Sequence, residues 1–279
     1  YLGGYFAAPK LTPGAVVRWF EQCRSAGVAT LLDVVIPGPG DYAAPLKTIL
    51  PHTDVFLPNT DEAKVMTGFD APLDQAVEGV INGIFFNQGH VCCAGSRLYV
   101  QESVYNQVIR KLKDRMETLI VGDPLDKNTD IGAINSKQQL ETIQKYLKIG
   151  QQEGAEMFQS SCALPRKGFF CKPTIFTNVA QSNRIAQEEI FGPVLAVQSF
   201  RTDDEVIEKA NNTPFGLSAG VWTDKGSKIF NLTTKMRAGV VWANTYNKFD
   251  PVSPFGGYKE SGYGREGGLH GLAAYVNLF

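Results

Sequence analysis

The sequence predicts an α/β fold built from two abutting units, a partial layer of parallel strands and helices followed by a doubly wound parallel-sheet domain. Three observations carry that expectation. Short, nearly continuous apolar runs such as "TLLDVVI" and "VLAVQSF" alternate with longer amphipathic segments, and a strand apolar on both faces belongs in a parallel sheet buried from both sides. Gly3, Gly4, Gly38 and Gly40 stand where the apolar runs end, which is where a parallel sheet presents its binding loops. Near residue 71 the texture changes and a second series of alternating elements begins.

In the first unit the order is a strand in "YLGGYFAA", an amphipathic helix in "GAVVRWFEQCRSAG", a strand in "VATLLDVVI", a helix in "APLKTILP", a strand in "DVFLPN" and a helix in "TDEAKVMTG". The second unit opens with the helix "LDQAVEGVINGIFF" and a loop holding two adjacent cysteines. The strand "RLYVQ" follows, then the helix "ESVYNQVIRKLKDRMETL", whose apolar residues recur at helical spacing. Next come the helix "SKQQLETIQKYLKIGQQEG", the strands "PTIFTNV" and "VLAVQSF", the helix "TDDEVIEKANN", the strand "AGVWT", the helix "GSKIFNLTTKM" and the strand "AGVVWAN". The Gly-rich "FGGYKESGYGREGGLHG" is too irregular for a flexible linker and reads as an ordered loop crossing a surface.

Composition excludes several function classes. A formal net charge of −1 offers no basic field for nucleic acid or an anionic membrane surface. No apolar run approaches the roughly 20 residues that cross a bilayer, and no signal-like segment opens the chain. The 5 cysteines include no C-x-x-C pair and the 3 histidines lack zinc spacing, so no metal is expected and a reduced, cytoplasmic setting is.

The loop "FFNQGHVCCAGSR", residues 85 to 97, carries the chemistry. A thiolate is nucleophilic near neutral pH, and a turn of small residues lets a carbonyl carbon approach while backbone N–H groups face the developing oxyanion. The plain alternative is a pair of buried, inert cysteines. Together with "QEEIFGPVLAVQSF", "NNTPFGLSAGVWT" and "SPFGGYKESGYGRE", in that order and spacing, the loop resembles the catalytic half of the aldehyde dehydrogenase family over residues 71–279. The resemblance implies that Cys92 rather than Cys93 is the nucleophile. It would form a thiohemiacetal with a small aldehyde, pass hydride to NAD or NADP, and leave a thioester for water to hydrolyse. Glu189 and Phe191 match positions that hold the nicotinamide ribose and flank the ring. A carboxylate suits two ribose hydroxyls and an aromatic limits how the ring tilts, against the plain readings of a helix-end charge and a core aromatic. Phe255 matches a wall of the substrate tunnel, or else simple packing, and favours an aldehyde without strong charge. Asn244 matches the edge of the family's active site.

The half of that family that carries the cofactor lysine, the oxyanion asparagine and the glutamate base is not found upstream of Cys92. Glu78 has no matching context, and Phe279 comes before the strand that usually completes the family's oligomer sheet; a homo-oligomer is carried as an expected partner. Residues 1–70 instead resemble a piece of a ribokinase-like (PfkB) sugar kinase, on "YLGGY", on Asp33 in "ATLLDVV" and on "DVFLPNTDEAKVMTG". There Asn59 and Glu62 form an N-x-x-E motif whose oxygens suit a hydrated divalent cation, though an Asn cap with Glu three residues on is also an ordinary helix start. The kinase "GAGD" anion hole and catalytic aspartate are absent from the chain, so phosphoryl transfer lacks its base and phosphate cradle. The two texts meet at "TGFDAPLDQAVEG" without linker composition, which predicts a chimeric, recombined or misassembled gene, or an engineered fusion. The expected function is an aldehyde oxidoreductase lacking its cofactor-binding half. The alternatives are an inactive binding module whose open sheet edges pair with another chain, and, last, a sugar kinase.

Overall fold

The computed structural model describes residues 1–8, 10–38, 40–58, 62 and 71–277. The chain divides into two compact units, Tyr1–Asp74 and Gln75–Phe279.

In the first unit Leu2 makes a single parallel bridge to Leu32. The backbone then turns at Gly4, at φ 65°, into a 3-10 turn over Tyr5–Ala7, so the strand expected across "YLGGYFAA" shrinks to one bridging residue. Helix α1 (Pro13–Ser25) starts where the Thr12 side chain accepts the Ala15 N–H and Pro13 sits at a position needing no donor. It buries Val16 and Phe20. Strand β1 (Leu31–Leu32), helix α2 (Ala43–Ile49) and strand β2 (Val55–Phe56) follow, with β1 and β2 parallel. Leu32, Val34, Leu46 and Ile49 close a core with Val16 and Phe20. Asn59 and the junction at residues 67–70 lie outside the described residues.

Helix α3 (Ala71–Phe85) leads to strand β3 (Arg97–Gln101), helix α4 (Tyr105–Met116) and helix α5 (Lys137–Gln152). Strands β4 (Glu156–Gln159) and β5 (Thr174–Thr177), the short helix α6 (Arg184–Gln187), strand β6 (Val194–Phe200) and helix α7 (Asp203–Asn211) come next. The remaining elements are β7 (Phe215–Gly216), β8 (Ser218–Val221), α8 (Gly226–Lys235), β9 (Val240–Ala243), β10 (Tyr258–Lys259) and α9 (Gly268–Leu272). The main sheet runs β3-β6-β5-β4. Strand β6 is parallel to both β3 and β5, whereas β4 is antiparallel to β5.

That edge corrects the expected all-parallel sheet. "EMFQ" begins and ends on polar residues and is only partly buried, so it carries no apolar run to announce a strand. Its neighbour β5 is buried at every position and therefore needs hydrogen-bonding partners on both sides. A separate parallel pair, β8 with β9, and a short antiparallel pair, β7 with β10, lie beyond.

Ile143 of α5, Phe176 of β5, Ile185 of α6, and Val194 and Ala196 of β6 form one core. Burying each large apolar side chain there contributes roughly 1.5–3 kcal/mol. Helix α7 begins as its sequence predicts: the Thr202 hydroxyl accepts the Glu205 N–H at 3.2 Å and the Glu205 carboxylate accepts the Arg201 N–H at 2.8 Å. Among the described residues no helix is long and apolar enough to cross a membrane.

Candidate active site

Helix α3 ends just before an unusual reversal. Asn87 (φ 48°), Gln88 (φ 47°) and Gly89 (φ 75°) are successive left-handed residues, a conformation costing a non-glycine residue about 1–2 kcal/mol. Local hydrogen bonds hold it: the His90 N–H donates to the Asn87 carbonyl at 2.9 Å and Asn87 Nδ2 donates to the His90 carbonyl at 3.0 Å. The chain next closes a tight turn, Ala94 N–H to Val91 carbonyl at 2.9 Å, and ties back to the helix through Gly95 N–H to Gly83 carbonyl at 2.8 Å. Cys92 and Cys93 are the two central residues of that turn and project differently. Cys92 is exposed, whereas Cys93 is 3% exposed.

The burial of Cys93 is enforced from far away in sequence. Its carbonyl accepts hydrogen bonds from the Tyr246 hydroxyl at 2.8 Å and the Ser218 hydroxyl at 3.0 Å, and its sulfur lies 3.5 Å from Asn247 Oδ1. Burial pushes the Cys93 thiol up to about 11, so it stays a neutral, unreactive thiol at physiological pH.

The second loop, residues 188–193, meets this turn backbone to backbone. A Cβ on Gly89 would lie 2.2 Å from the Gly192 carbonyl oxygen, so the close approach requires glycine there. The His90 and Phe191 rings stand 5.6 Å apart, inclined by 30°. Phe191 is itself left-handed, at φ 56°, which is rare for an aromatic residue. Gln139 of α5 holds it there, its Nε2 donating to the carbonyls of Ile190 at 2.9 Å and Phe191 at 3.0 Å. Of the two adjacent glutamates, Glu188 accepts from Arg184 at 2.6 and 2.8 Å and from the Tyr146 hydroxyl at 2.7 Å. The Arg184 guanidinium, with Tyr146, holds its carboxyl down at about 2. Glu189 is exposed.

Phe255 is half-buried and reaches the cysteine turn through a file of rings. It stands edge-on to Phe249 at 5.2 Å, Phe249 edge-on to Trp242 at 5.4 Å, and Trp242 tilted against Tyr246 at 4.7 Å. Tyr246 is the residue that grips Cys93. Asn244, at φ 53°, braces the ends of β8 and β9: its Nδ2 donates to the Thr223 carbonyl and its Oδ1 accepts the Thr223 N–H, both at 2.9 Å.

The structure thus brings Phe191 against the cysteine loop and links Phe255 to it through intervening rings, while Cys92 and Glu189 both face outward. The residues that sequence reasoning did not single out are Gln139, Ser218 and Tyr246. None has a local signal, because their partners lie 51 to 153 positions away. Among the described residues no cluster of His, Cys, Asp or Glu is placed to hold a metal ion.

The pattern that defines the aldehyde dehydrogenase family matches residues 62–278. Retinal dehydrogenase 2 of Gallus gallus is 48% identical over 209 residues, covering 75% of this chain and 40% of that protein. A putative aldehyde dehydrogenase, DhaS, of Bacillus subtilis is 44% identical over 209 residues, covering 75% of this chain and 42% of that protein. Among solved structures, an indole-3-acetaldehyde dehydrogenase in complex with NAD+ superposes with a TM-score of 0.71 at 42% identity, over 74% of this chain and 42% of that one. An NAD+ complex of an aldehyde dehydrogenase from Bacillus cereus gives a TM-score of 0.70 at 35% identity, over 86% of this chain and 51% of that one. The chain spans about 40% of the length of the curated relatives it matches.

Proposed function

The chain belongs to the aldehyde dehydrogenase family, and from that premise we propose that it carries the family's acyl-transfer chemistry on Cys92. The Cys92 thiolate adds to the carbonyl carbon of an uncharged small aldehyde and forms a thiohemiacetal. The oxyanion that develops is read as held by backbone N–H groups of the cysteine turn other than that of Ala94, which is bonded to the Val91 carbonyl. NAD or NADP, when bound, supplies the acceptor for the hydride leaving that carbon. Water then cleaves the resulting thioester to a carboxylic acid and returns the thiol.

The residues present fit the nicotinamide end of such a cofactor. Glu189 offers an outward carboxylate to the ribose hydroxyls, since the neighbouring glutamate takes the Arg184 ion pair. Phe191, fixed by Gln139 beside the cysteine loop, limits how the ring lies, and Phe255 walls the aldehyde side. The observation that carries the reading is the turn itself: one cysteine is sealed beneath it and the other is left exposed, against a loop that holds a strained aromatic.

We assign this chemistry to a catalytic domain over residues 71–279. Residues 1–70 are read as a ribokinase-like fragment, on their sequence motifs and on the parallel pair β1–β2 flanked by α1 and α2. A cytoplasmic setting, a chimeric origin and assembly into a homo-oligomer belong to the same reading. A second reading is an inactive module that captures an aldehyde on Cys92 without turning it over, which the exposure of Cys92 supports equally.

Incubation with p-nitrophenyl acetate, whose carbonyl the same thiolate attacks to release nitrophenolate and leave a mappable acetyl thioester, followed by acidic peptide mapping by mass spectrometry, tests the assignment alongside a calorimetric titration with NAD. The expected result is an adduct on Cys92. An adduct on Cys93 or Cys23, with Cys92 unmodified, removes the assignment.

A further inference from the structure

We propose that Tyr246 and Ser218 are positioning residues that present the Cys92 sulfur, by gripping the backbone carbonyl of the residue after it. The proposal deepens the reading of Cys92 as nucleophile and takes its functional meaning from it.

The geometry is that of a two-point clamp. The carbonyl of Cys93 receives both hydroxyls, at 2.8 and 3.0 Å, and the two hydroxyl oxygens lie 3.4 Å from each other. Fixing that carbonyl fixes the plane of the peptide leaving the turn. With Ala94 closing the turn on Val91, the side chain of Cys93 is held inward and that of Cys92 outward. If the clamp were absent, the turn could rotate its central peptides and exchange the two sulfurs between core and surface.

The tyrosine ring is itself locked. A Cβ on Gly83 of α3 or on Gly95 would come within 3.3 Å of Tyr246, and one on Gly220 of β8 within 2.7 Å. The ring therefore fills a socket made by three glycines from separate parts of the chain, and Trp242 packs on it at 4.7 Å. Burial pushes the phenol up to about 12, so the hydroxyl keeps the proton it donates across the working range of a thiol enzyme. Substitution to Phe keeps every ring contact and deletes only the donor.

Site-resolved alkylation of the full chain with iodoacetamide near neutral pH reads the clamp without any aldehyde or cofactor. In the unsubstituted chain Cys92 reacts and Cys93 is protected. Tyr246→Phe is expected to lower the Cys92-to-Cys93 labelling ratio about tenfold and Ser218→Ala about threefold, in line with loss of single hydrogen bonds. Ser218→Thr, which keeps the hydroxyl, restores the ratio. Cys171, buried in the separate core around Phe176, serves as the internal standard and keeps its rate in all variants. An unchanged ratio in the Tyr246→Phe, Ser218→Ala double variant overturns the proposal. So does labelling of Cys171 that rises in step with Cys93, because it would report general loosening instead of a local clamp; if Tyr246→Phe does not fold, the Ser218→Ala and Ser218→Thr pair decides alone. Clamp-dependent alkylation of a Cys92 that takes up no aldehyde would sink the aldehyde reading and leave the clamp standing.

Discussion

The cysteine turn and the loop at residues 188–193 each begin from a doublet, Cys92–Cys93 and Glu188–Glu189, and each resolves it differently. In the turn the inward residue is caught by its backbone, through two hydroxyls on the Cys93 carbonyl. In the loop the retained residue is caught by its side chain, through the Arg184 fork and the Tyr146 hydroxyl on Glu188. Cys93 is buried by its anchor, whereas Glu188 stays exposed within its ion pair, so only the cysteine doublet is split into an inward and an outward group. The comparison shows that chemical identity does not assign a role in such a pair. The contacts made by the partner do.

The sharpest way to break the comparison is at the sulfur. Cys92→Ser is expected to reduce acylation by p-nitrophenyl acetate about 1,000-fold, because a neutral hydroxyl is a far weaker nucleophile than a thiolate. Cys93→Ser should stay within about threefold of the parent, both measured as acetyl-thioester formation by mass spectrometry. Equal losses would mean that the turn does not discriminate its two sulfurs.

The next largest effect falls where the two loops touch. Gly89→Ala places a Cβ 2.2 Å from the Gly192 oxygen at a φ of 75°, so one backbone must move. About 2–3 kcal/mol of stability should be lost in urea unfolding, and the protection of Cys93 from alkylation with it. Loss of stability with protection intact would show that the loops are held independently.

The glutamate doublet gives smaller effects of two kinds. Glu189→Gln is expected to weaken NAD binding about tenfold in calorimetry, the scale of one charge-assisted hydrogen bond, while Glu188→Gln changes it less than twofold. Glu188→Gln should instead cost about 0.5–1 kcal/mol of stability, since the Arg184 pair is partly exposed. That difference has a definite pH course. The folded carboxyl is depressed to about 2 from an unfolded value of about 4.3. The contribution is therefore complete above pH ~4.5 and fades as pH falls toward 2. Thermal melts of parent and variant should converge over that window and run parallel above it.

Much of the second unit was legible because its helices and inner strands keep their periods. The segments "LDQAVEGVINGIFF" and "SKQQLETIQKYLKIGQQEG" appear as α3 and α5 within a few residues, "RLYVQ" and "VLAVQSF" as β3 and β6, and "TDDEVIEKANN" as α7. Strand β4 was not legible, because Glu156 and Gln159 bound it and its pairing comes from the need of buried β5. In the first unit the apolar runs promised longer strands than the two-residue pairs β1 and β2, since only Leu31–Leu32 and Val55–Phe56 align for pairing. At the site, the glycine-flanked cysteines announced a turn and the resemblance of the motif singled out Cys92, but the physical chemistry of the two side chains alone does not separate Cys92 from Cys93. That distinction is made by Ser218 and Tyr246, 125 and 153 positions away. The left-handed Asn87, Gln88 and Phe191 were equally silent, because residues other than glycine enter that region only when tertiary contacts compel them.

The glycine socket around Tyr246 also sets an order of events during folding. Its walls come from residues 83, 95 and 220, so the ring has no complete seat until segments separated by more than a hundred positions have converged, and such long loop closures are slow. Strands β5 and β6 pair across only 20 positions, Thr174 with Val194, and can gather beforehand, whereas β3 joins β6 across 99, Arg97 with Ala196. A newly made chain should thus hold its two neighbouring thiols interchangeable while β5 and β6 are already paired, giving them separate fates only when the aromatic side chain arrives.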